Sequence, residues 1–130
     1  YFQNIKNGKD VVLENNSVIP NALLTFDPPA PKSYAFCSDT AFSTKIIPWI
    51  RNVDVLYHEA TFLETEKRLA PKTKHATAKE AATIAREANV GMLILGHFST
   101  RYQSLDLFKE EAKTIFPNVE LADDGKEFDL

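Results

Sequence analysis

The feature that most constrains this chain is a regular alternation of short apolar segments with amphipathic ones from residue 32 onward. The segments with strand character are residues 34–37, 53–57 and 92–95, and those with helical periodicity are residues 44–50, 77–88 and 104–115. Strand–helix–strand units in one sheet connect through right-handed crossovers and form a mainly parallel sheet with helices on its faces. The pattern therefore predicts an α/β fold.

The helix predicted at residues 77–88 has both a start signal and a packing face. Thr77 and Glu80 stand at the spacing of a capping box. Alanines recur at helical spacing along one side, at Ala78, Ala81, Ala82, Ala85 and Ala88. Such small side chains predict close packing of this helix against the sheet.

A proline-rich stretch at residues 27–31 divides the chain unevenly. We interpret residues 1–130 as a single segment, with a peripheral hairpin and a Pro-rich connection at 1–31 and strand–helix repeats at 32–130. The hairpin is predicted from residues 11–13 and 18–19, which flank a turn-prone segment. A second hairpin is predicted from residues 119–122 and 127–130, which flank the turn signal Asp123-Asp124-Gly125.

Composition and charge restrict the classes of function. Hydrophobic residues make up 44% and charged residues 25%, which is typical of a globular domain and excludes a disordered or collagen-like chain. The net charge of -3 means that a polyanionic partner would need a local basic patch. Cys37 is the single cysteine, so an internal disulfide is excluded and a cytoplasmic location is expected. No apolar run approaches the roughly 20 residues of a membrane helix, so no membrane association is expected.

Polar residues follow each predicted strand, at the sheet edge where α/β proteins bind ligands. Asp39 follows the first strand, His58 and Glu59 the second, and His97 the third. His75 precedes the capped helix, so all three histidines of the chain could converge. Taken singly, these residues have ordinary interpretations as a turn or cap, a surface pair and a solvated loop. Together they predict a metal or acid–base site, because Asp and His ligands suit zinc and related ions.

Four ordered motifs at these positions resemble those of ribonuclease Z, the tRNA 3′-processing endonuclease of the metallo-β-lactamase superfamily. They are residues 37–40 (CSDT), 57–62 (YHEATF), 75–82 (HATAKEAA) and 96–102 (GHFSTRY). The family's earlier His-x-His-x-Asp-His motif is absent, so the chain resembles the carboxy-terminal part of such an enzyme. The fold that this implies is the carboxy-terminal half of an αββα sandwich, with mainly parallel strands and crossover helices.

The resemblance also implies roles for individual residues. Asp39 is similar to the aspartate that bridges two zinc ions, and His97 to the histidine that completes the second. The other zinc ligands are missing here, so this segment alone is expected to be metal-poor and inactive. A metal hydroxide attacks the phosphodiester in the family's reaction, with His75 similar to the proton donor for the departing oxygen and Glu59 to the carboxylate that orients it. Ala76 departs from the family pattern, which usually has Ser.

Basic residues cluster around the segment that precedes His75. They are Lys67, Arg68, Lys72, Lys74 and Lys79. A charge run of this kind is ordinarily a solvated loop. Beside a phosphodiester site it suits phosphate positioning, and we assign substrate contacts to Lys72, Lys74, Ser99 and Arg101 on the same grounds.

The implied partner is precursor tRNA, and the implied assembly is a homodimer. Two alternatives stay open at this point. One keeps the superfamily and changes the substrate, to a phosphodiesterase or arylsulfatase-like hydrolase acting on small molecules. The other is a non-catalytic α/β interaction domain whose histidines are structural.

Overall fold

A computed structural model describes all 130 residues and divides them into two compact units, Tyr1–Pro31 and Lys32–Leu130. The smaller unit begins with helix α1 (Phe2–Lys6), which the sequence pattern did not predict. Strands β1 (Val11–Val12) and β2 (Val18–Ile19) then pair antiparallel. Asn21 joins these pieces, because its side-chain amide donates to the backbone oxygens of residues 5 and 9 at 2.9 and 3.1 Å.

The larger unit contains one parallel four-stranded sheet in the order β3-β4-β5-β6. Its strands are β3 (Tyr34–Cys37), β4 (Val55–Glu59), β5 (Met92–Gly96) and β6 (Val119–Leu121). Its helices are α2 (Ile47–Ile50), α3 (Leu69–Thr73), α4 (Ala78–Glu87) and α5 (Asp106–Lys113), with 3-10 turns at Thr44–Ile46 and Glu64–Glu66. The predicted α/β class is thereby confirmed.

The core lies between the sheet and helices α4 and α5. Every alanine on the predicted face of α4, including the capping Ala88, is fully buried. Leu56 and Leu93 from the central strands and Phe108 from α5 are also fully buried in the same cluster. Because alanine is short, it lets the backbone of α4 lie close to the strands, as its sequence pattern predicted.

The opposite face of the sheet carries exposed aromatic rings. Tyr34 is 51% and Phe36 64% exposed. Phe36 stacks on Tyr57 with ring centroids 4.6 Å apart. This packing requires glycine at position 96, since a Cβ there would collide with the ring of Tyr57.

The second predicted hairpin is wrong. β6 pairs parallel to β5, with Val119 opposite Leu93, and residues 127–130 form no strand. The turn at residues 123–126 instead leads the chain to a pocket where Phe128 and Leu130 lie beside Tyr34. The apolar side chains of Phe128 and Leu130 thus pack beside strand residues of the sheet, and the outer edge of β6 stays unpaired.

The segment that precedes His75 is more ordered than a solvated loop. It contains the 3-10 turn Glu64–Glu66 and α3, whose Ala70 is fully buried. Lys74 ends α3 in the left-handed conformation, at φ 60°. His75 N then donates to Ala70 O at 2.8 Å, which sets the point where the chain enters α4.

No helix in the structure is both long and apolar enough to span a bilayer.

Candidate active site

Four chemically active side chains meet at the carboxyl edge of the sheet. Asp39 lies just after β3, Glu59 ends β4, His97 follows β5 directly, and His75 lies between α3 and α4. One ligating atom from each lies within 4.8 Å of the others. Parallel strands place their carboxyl ends at one edge, which is why residues up to 58 positions apart come together.

Two of these residues have unusual backbone conformations. Asp39 has a φ of 55° and His97 a φ of 62°, both in the left-handed region. That region costs most non-glycine residues of the order of 1 kcal/mol, and it persists where surrounding contacts hold the chain. Both strands therefore turn sharply at the residue that the site uses.

Glu59 is the fully buried centre of the site and accepts five hydrogen bonds. Its Oε1 accepts from Thr40 N at 2.8 Å and from His75 Nδ1 at 2.7 Å. Its Oε2 accepts from Ala76 N at 3.1 Å and from the backbone N and hydroxyl of Thr61 at 3.3 and 2.8 Å. Burial would raise the pKa of Glu59, but the hydrogen bonds from His75, Ala76 and Thr61 outweigh it and hold the pKa below its ordinary value.

His75 is held by this carboxylate. Its Nδ1 lies 2.7 Å from Glu59 Oε1 and 3.6 Å from Asp39 Oδ1. An ionised carboxylate only accepts, so Nδ1 carries the hydrogen and Nε2 is the ring's free end. The side chain is 21% exposed, which leaves it reachable from solvent.

His97 lies beside His75, with ring centroids 5.2 Å apart. Its Nδ1 is 2.9 Å from Thr61 Oγ1, and its Nε2 is 4.0 Å from Asp39 Oδ1. Sequence reasoning missed Thr61 as a member of the site. The available signal was its position two residues after Glu59, within the motif at the end of β4.

His58 does not join this cluster, contrary to the expectation that all three histidines could converge. It is fully buried on β4, and its Nδ1 lies 2.7 Å from the carbonyl oxygen of Glu59. Its Nε2 has no hydrogen-bond partner. Burial lowers the pKa of His58, which favours the neutral ring. Successive strand residues face opposite sides of a sheet, so His58 and Glu59 diverge.

The four residues assigned to substrate lie close in sequence to the two histidines, with Lys72 and Lys74 before His75 and Ser99 and Arg101 after His97. Arg101 is 3.4 Å from Glu66, and its guanidinium lies 5.3 Å from the ring centroid of Phe62. Ser99 Oγ accepts from Arg101 N at 3.3 Å. Lys72 and Lys74, on and just after α3, are exposed and form no ion pair.

The donor set fits a zinc or related divalent ion. Asp39 offers a carboxylate oxygen, and both histidines have Nδ1 engaged and Nε2 free. Histidines that bind metals characteristically hold one ring nitrogen in a second hydrogen bond of this kind. Asp39, Glu59, His75 and His97 each offer one atom that could ligate such an ion.

Comparison with known proteins gives a consistent result. No protein-family model matches the chain. It is 51% identical over 124 residues to ribonuclease Z of Parabacteroides distasonis, a match that covers 95% of this chain and 41% of that protein. It is 48% identical over 118 residues to ribonuclease Z of Bacteroides fragilis, covering 91% of this chain and 39% of that protein. The chain thus spans about two-fifths of the length of these curated relatives.

Solved structures agree on the fold. A metallo-beta-lactamase fold protein, YhfI from Bacillus subtilis, matches with a TM-score of 0.69 and 28% identity over 76% of this chain and 40% of its own. A long-form RNase Z from yeast matches with a TM-score of 0.58 and 31% identity over 67% of this chain and 12% of its own. The predicted metallo-β-lactamase fold is confirmed.

Proposed function

We propose that this chain, which by sequence is a part of a ribonuclease Z, supplies half of the active site of a zinc-dependent endoribonuclease that removes the 3′ trailer from precursor tRNA. The observation that carries the proposal is the meeting of Asp39, Glu59, His75 and His97 within 4.8 Å. The relatives named above supply the substrate class, because ribonuclease Z is what they are called.

Asp39 and His97 would hold zinc, together with ligands from outside this chain. Zinc, when bound, lowers the pKa of water and polarises a phosphoryl oxygen. In support of this, Asp39 Oδ1 and His97 Nε2 lie 4.0 Å apart, so one ion could contact both. Two side chains are fewer than the three or more that a zinc site ordinarily has, so this chain alone should bind the ion weakly.

His75 would donate the proton that the departing 3′ oxygen needs. Its Nδ1–H is fixed on Glu59, which leaves Nε2 as the end that carries and releases a proton. The adjacent buried carboxylate holds the ring in the orientation from which Nε2 can release that proton. As the P–O bond breaks, the proton on Nε2 passes to the oxygen and the ring becomes neutral.

The basic residues beside the site would position the RNA. Lys72 and Lys74 are free of ion pairs and face solvent, so they can contact phosphates without breaking an internal bond. Arg101 would have to share its guanidinium between Glu66 and a phosphate. Ser99 supports the backbone of Arg101.

The resemblance also implies that the complete protein is a homodimer and works in the cytoplasm. The single free cysteine, Cys37, suits a reducing compartment. Light scattering on the complete protein tests the assembly, with a dimer mass expected at all working concentrations.

The function is tested by giving the complete protein a precursor tRNA with a labelled 3′ trailer, and bis(p-nitrophenyl) phosphate as a small diester. We expect trailer removal that stops with a chelator and returns with zinc. Hydrolysis of the diester without cleavage of the RNA would favour the small-substrate phosphodiesterase. Activity on neither substrate, with zinc bound, would favour an interaction domain.

A further inference from the structure

Thr61 joins the two loops that deliver the histidines. Its hydroxyl lies 2.8 Å from Glu59 Oε2 and 2.9 Å from His97 Nδ1. Its backbone oxygen accepts from Ser99 N at 3.0 Å, in the loop that follows His97. The residue is 8% exposed, so water does not compete freely for these contacts. One side chain therefore links the end of β4 to the end of β5.

The direction of these hydrogen bonds follows from the number of hydrogens. A threonine hydroxyl has one hydrogen to donate and two lone pairs to accept with. Glu59 Oε2 is an acceptor, so the hydrogen of Thr61 belongs to the 2.8 Å contact with it. The 2.9 Å contact with His97 then needs a hydrogen on Nδ1 of that ring. In the neutral ring with its hydrogen on Nδ1, the lone pair is on Nε2, which lies 4.0 Å from Asp39 Oδ1.

We infer that Thr61 is a positioning residue, through which the carboxylate of Glu59 sets the tautomer of His97. This inference rests on the proposed function, because His97 needs a free Nε2 only if it binds a metal. Glu59 fixes His75 directly and His97 through one hydroxyl, so a single buried group orients both rings. A hydrogen bond to the distal ring nitrogen also makes the other nitrogen a better ligand.

The first test uses the wild-type complete protein without metal. Long-range ¹H–¹⁵N correlation of the histidine side chains at neutral pH distinguishes the two neutral tautomers. We expect His97 to carry its hydrogen on Nδ1. A hydrogen on Nε2 overturns the inference, whatever the enzyme cleaves.

The second test compares Thr61→Val with Thr61→Ser. Valine keeps the branched shape and removes the hydroxyl, whereas serine keeps the hydroxyl. Zinc chloride is titrated into each metal-free protein against a chromophoric chelator. We expect Thr61→Val to lose roughly 10- to 100-fold in affinity for one zinc ion, and Thr61→Ser to lose much less. Equal affinity of wild type and Thr61→Val overturns the inference.

Two controls separate this inference from the proposed function. Trailer cleavage by the wild type reports on the function alone, and it can fail while zinc binding still responds to Thr61. Metal-free thermal unfolding shows whether Thr61→Val folds. If it does not fold, the tautomer of His97 in wild type and in Thr61→Ser decides, and a shift to hydrogen on Nε2 in either protein contradicts the inference.

Discussion

Glu59 shows at the scale of one residue how a buried charge is made tolerable. An isolated carboxylate in a protein interior is costly, and five donors offset that cost here. Four of the five come from Thr40, Thr61 and Ala76, which belong to three separate loops. The charge therefore ties together the loops that bear the site.

Replacing this residue by its amide should loosen the loops. Glu59→Gln puts an amide NH₂ among donors that need an acceptor, so we expect a loss of about 2–4 kcal/mol in the free energy of unfolding at pH 7. Urea denaturation of the complete protein measures it. Glu110→Gln, on the exposed side of α5, is the matched control and should stay within about 0.5 kcal/mol of wild type. A loss in Glu59→Gln no larger than in the control would contradict this account.

The difference in unfolding free energy between wild type and Glu59→Gln should depend on pH. The pKa of Glu59 is lowered by folding, so its contribution is present above the unfolded-state pKa and is lost as pH falls through the folded one. The stability gap between wild type and Glu59→Gln should therefore be full at pH 7 and shrink below about pH 4.5. A gap that widens on acidification would mean that the carboxyl is buried in its neutral form.

Single residues also mark the limit of what sequence can predict. Asp39, Glu59 and His97 could be assigned to one edge because strand ends in a parallel sheet must meet. The divergence of His58 followed from strand alternation, which required knowing where β4 ends. Thr61 was missed, since its position two residues after Glu59 does not reveal its contact with His97, 36 positions away.

Among the secondary-structure elements, the start of α4 matters most for the site, because its hydrogen bonds set where the helix begins and where the preceding His75 lies. Thr77 Oγ1 accepts from Glu80 N at 3.1 Å, and Glu80 Oε1 accepts from Thr77 N at 3.0 Å. Glu111 on α5 accepts from Glu64 N at 2.8 Å and Lys79 N at 3.0 Å, which holds the preceding segment against the same helix end. The entry to α4 is thus determined from both sides.

Removing the cap should therefore affect both stability and catalysis. Thr77→Ala should cost about 1–2 kcal/mol of unfolding free energy, because it leaves the part-buried N–H of Glu80 without its hydrogen-bond partner. Thr83→Ala, on the same helix, removes only a hydroxyl that donates to Lys79 O and is the control. Thermal unfolding measures both, and a similar shift for the two would show that the cap is unimportant.

Some elements could be predicted from local sequence patterns, whereas others depend on tertiary contacts. α4 was predictable because its capping box and alanine face are local signals. α3 was not, because five residues including Pro71 have no helical periodicity and are held by the burial of Ala70. β6 was placed correctly, but its partner could not be inferred from a turn signal alone.

At the scale of the whole molecule, the basic residues before His75 should confer salt dependence on RNA binding. Each cation that neutralises a phosphate releases counterions, so affinity falls as salt rises. Changing Lys72 and Lys74 together to Ala should weaken precursor tRNA binding and reduce the slope of log affinity against log salt by about 1.5. Filter binding of the complete protein at several salt concentrations measures the slope.

The control for charge removes two cations from the other edge of the sheet. Arg51 follows α2, and Arg86 lies in the last turn of α4. Changing both to Ala alters net charge equally but should leave the slope nearly unchanged. If both double variants reduced the salt slope equally, Lys72 and Lys74 would have no specific role in RNA binding.

The role proposed for His75 is that of a proton donor held by Glu59, without a bond to metal. The decisive measurement is the single-turnover rate of trailer cleavage by the complete protein carrying His75→Ala, with zinc content determined on the same sample. We expect a rate lower by roughly a hundredfold or more with zinc content unchanged. Loss of zinc together with activity would make His75 a ligand, and a rate within a few-fold of wild type would remove it from the chemistry; either result contradicts the account.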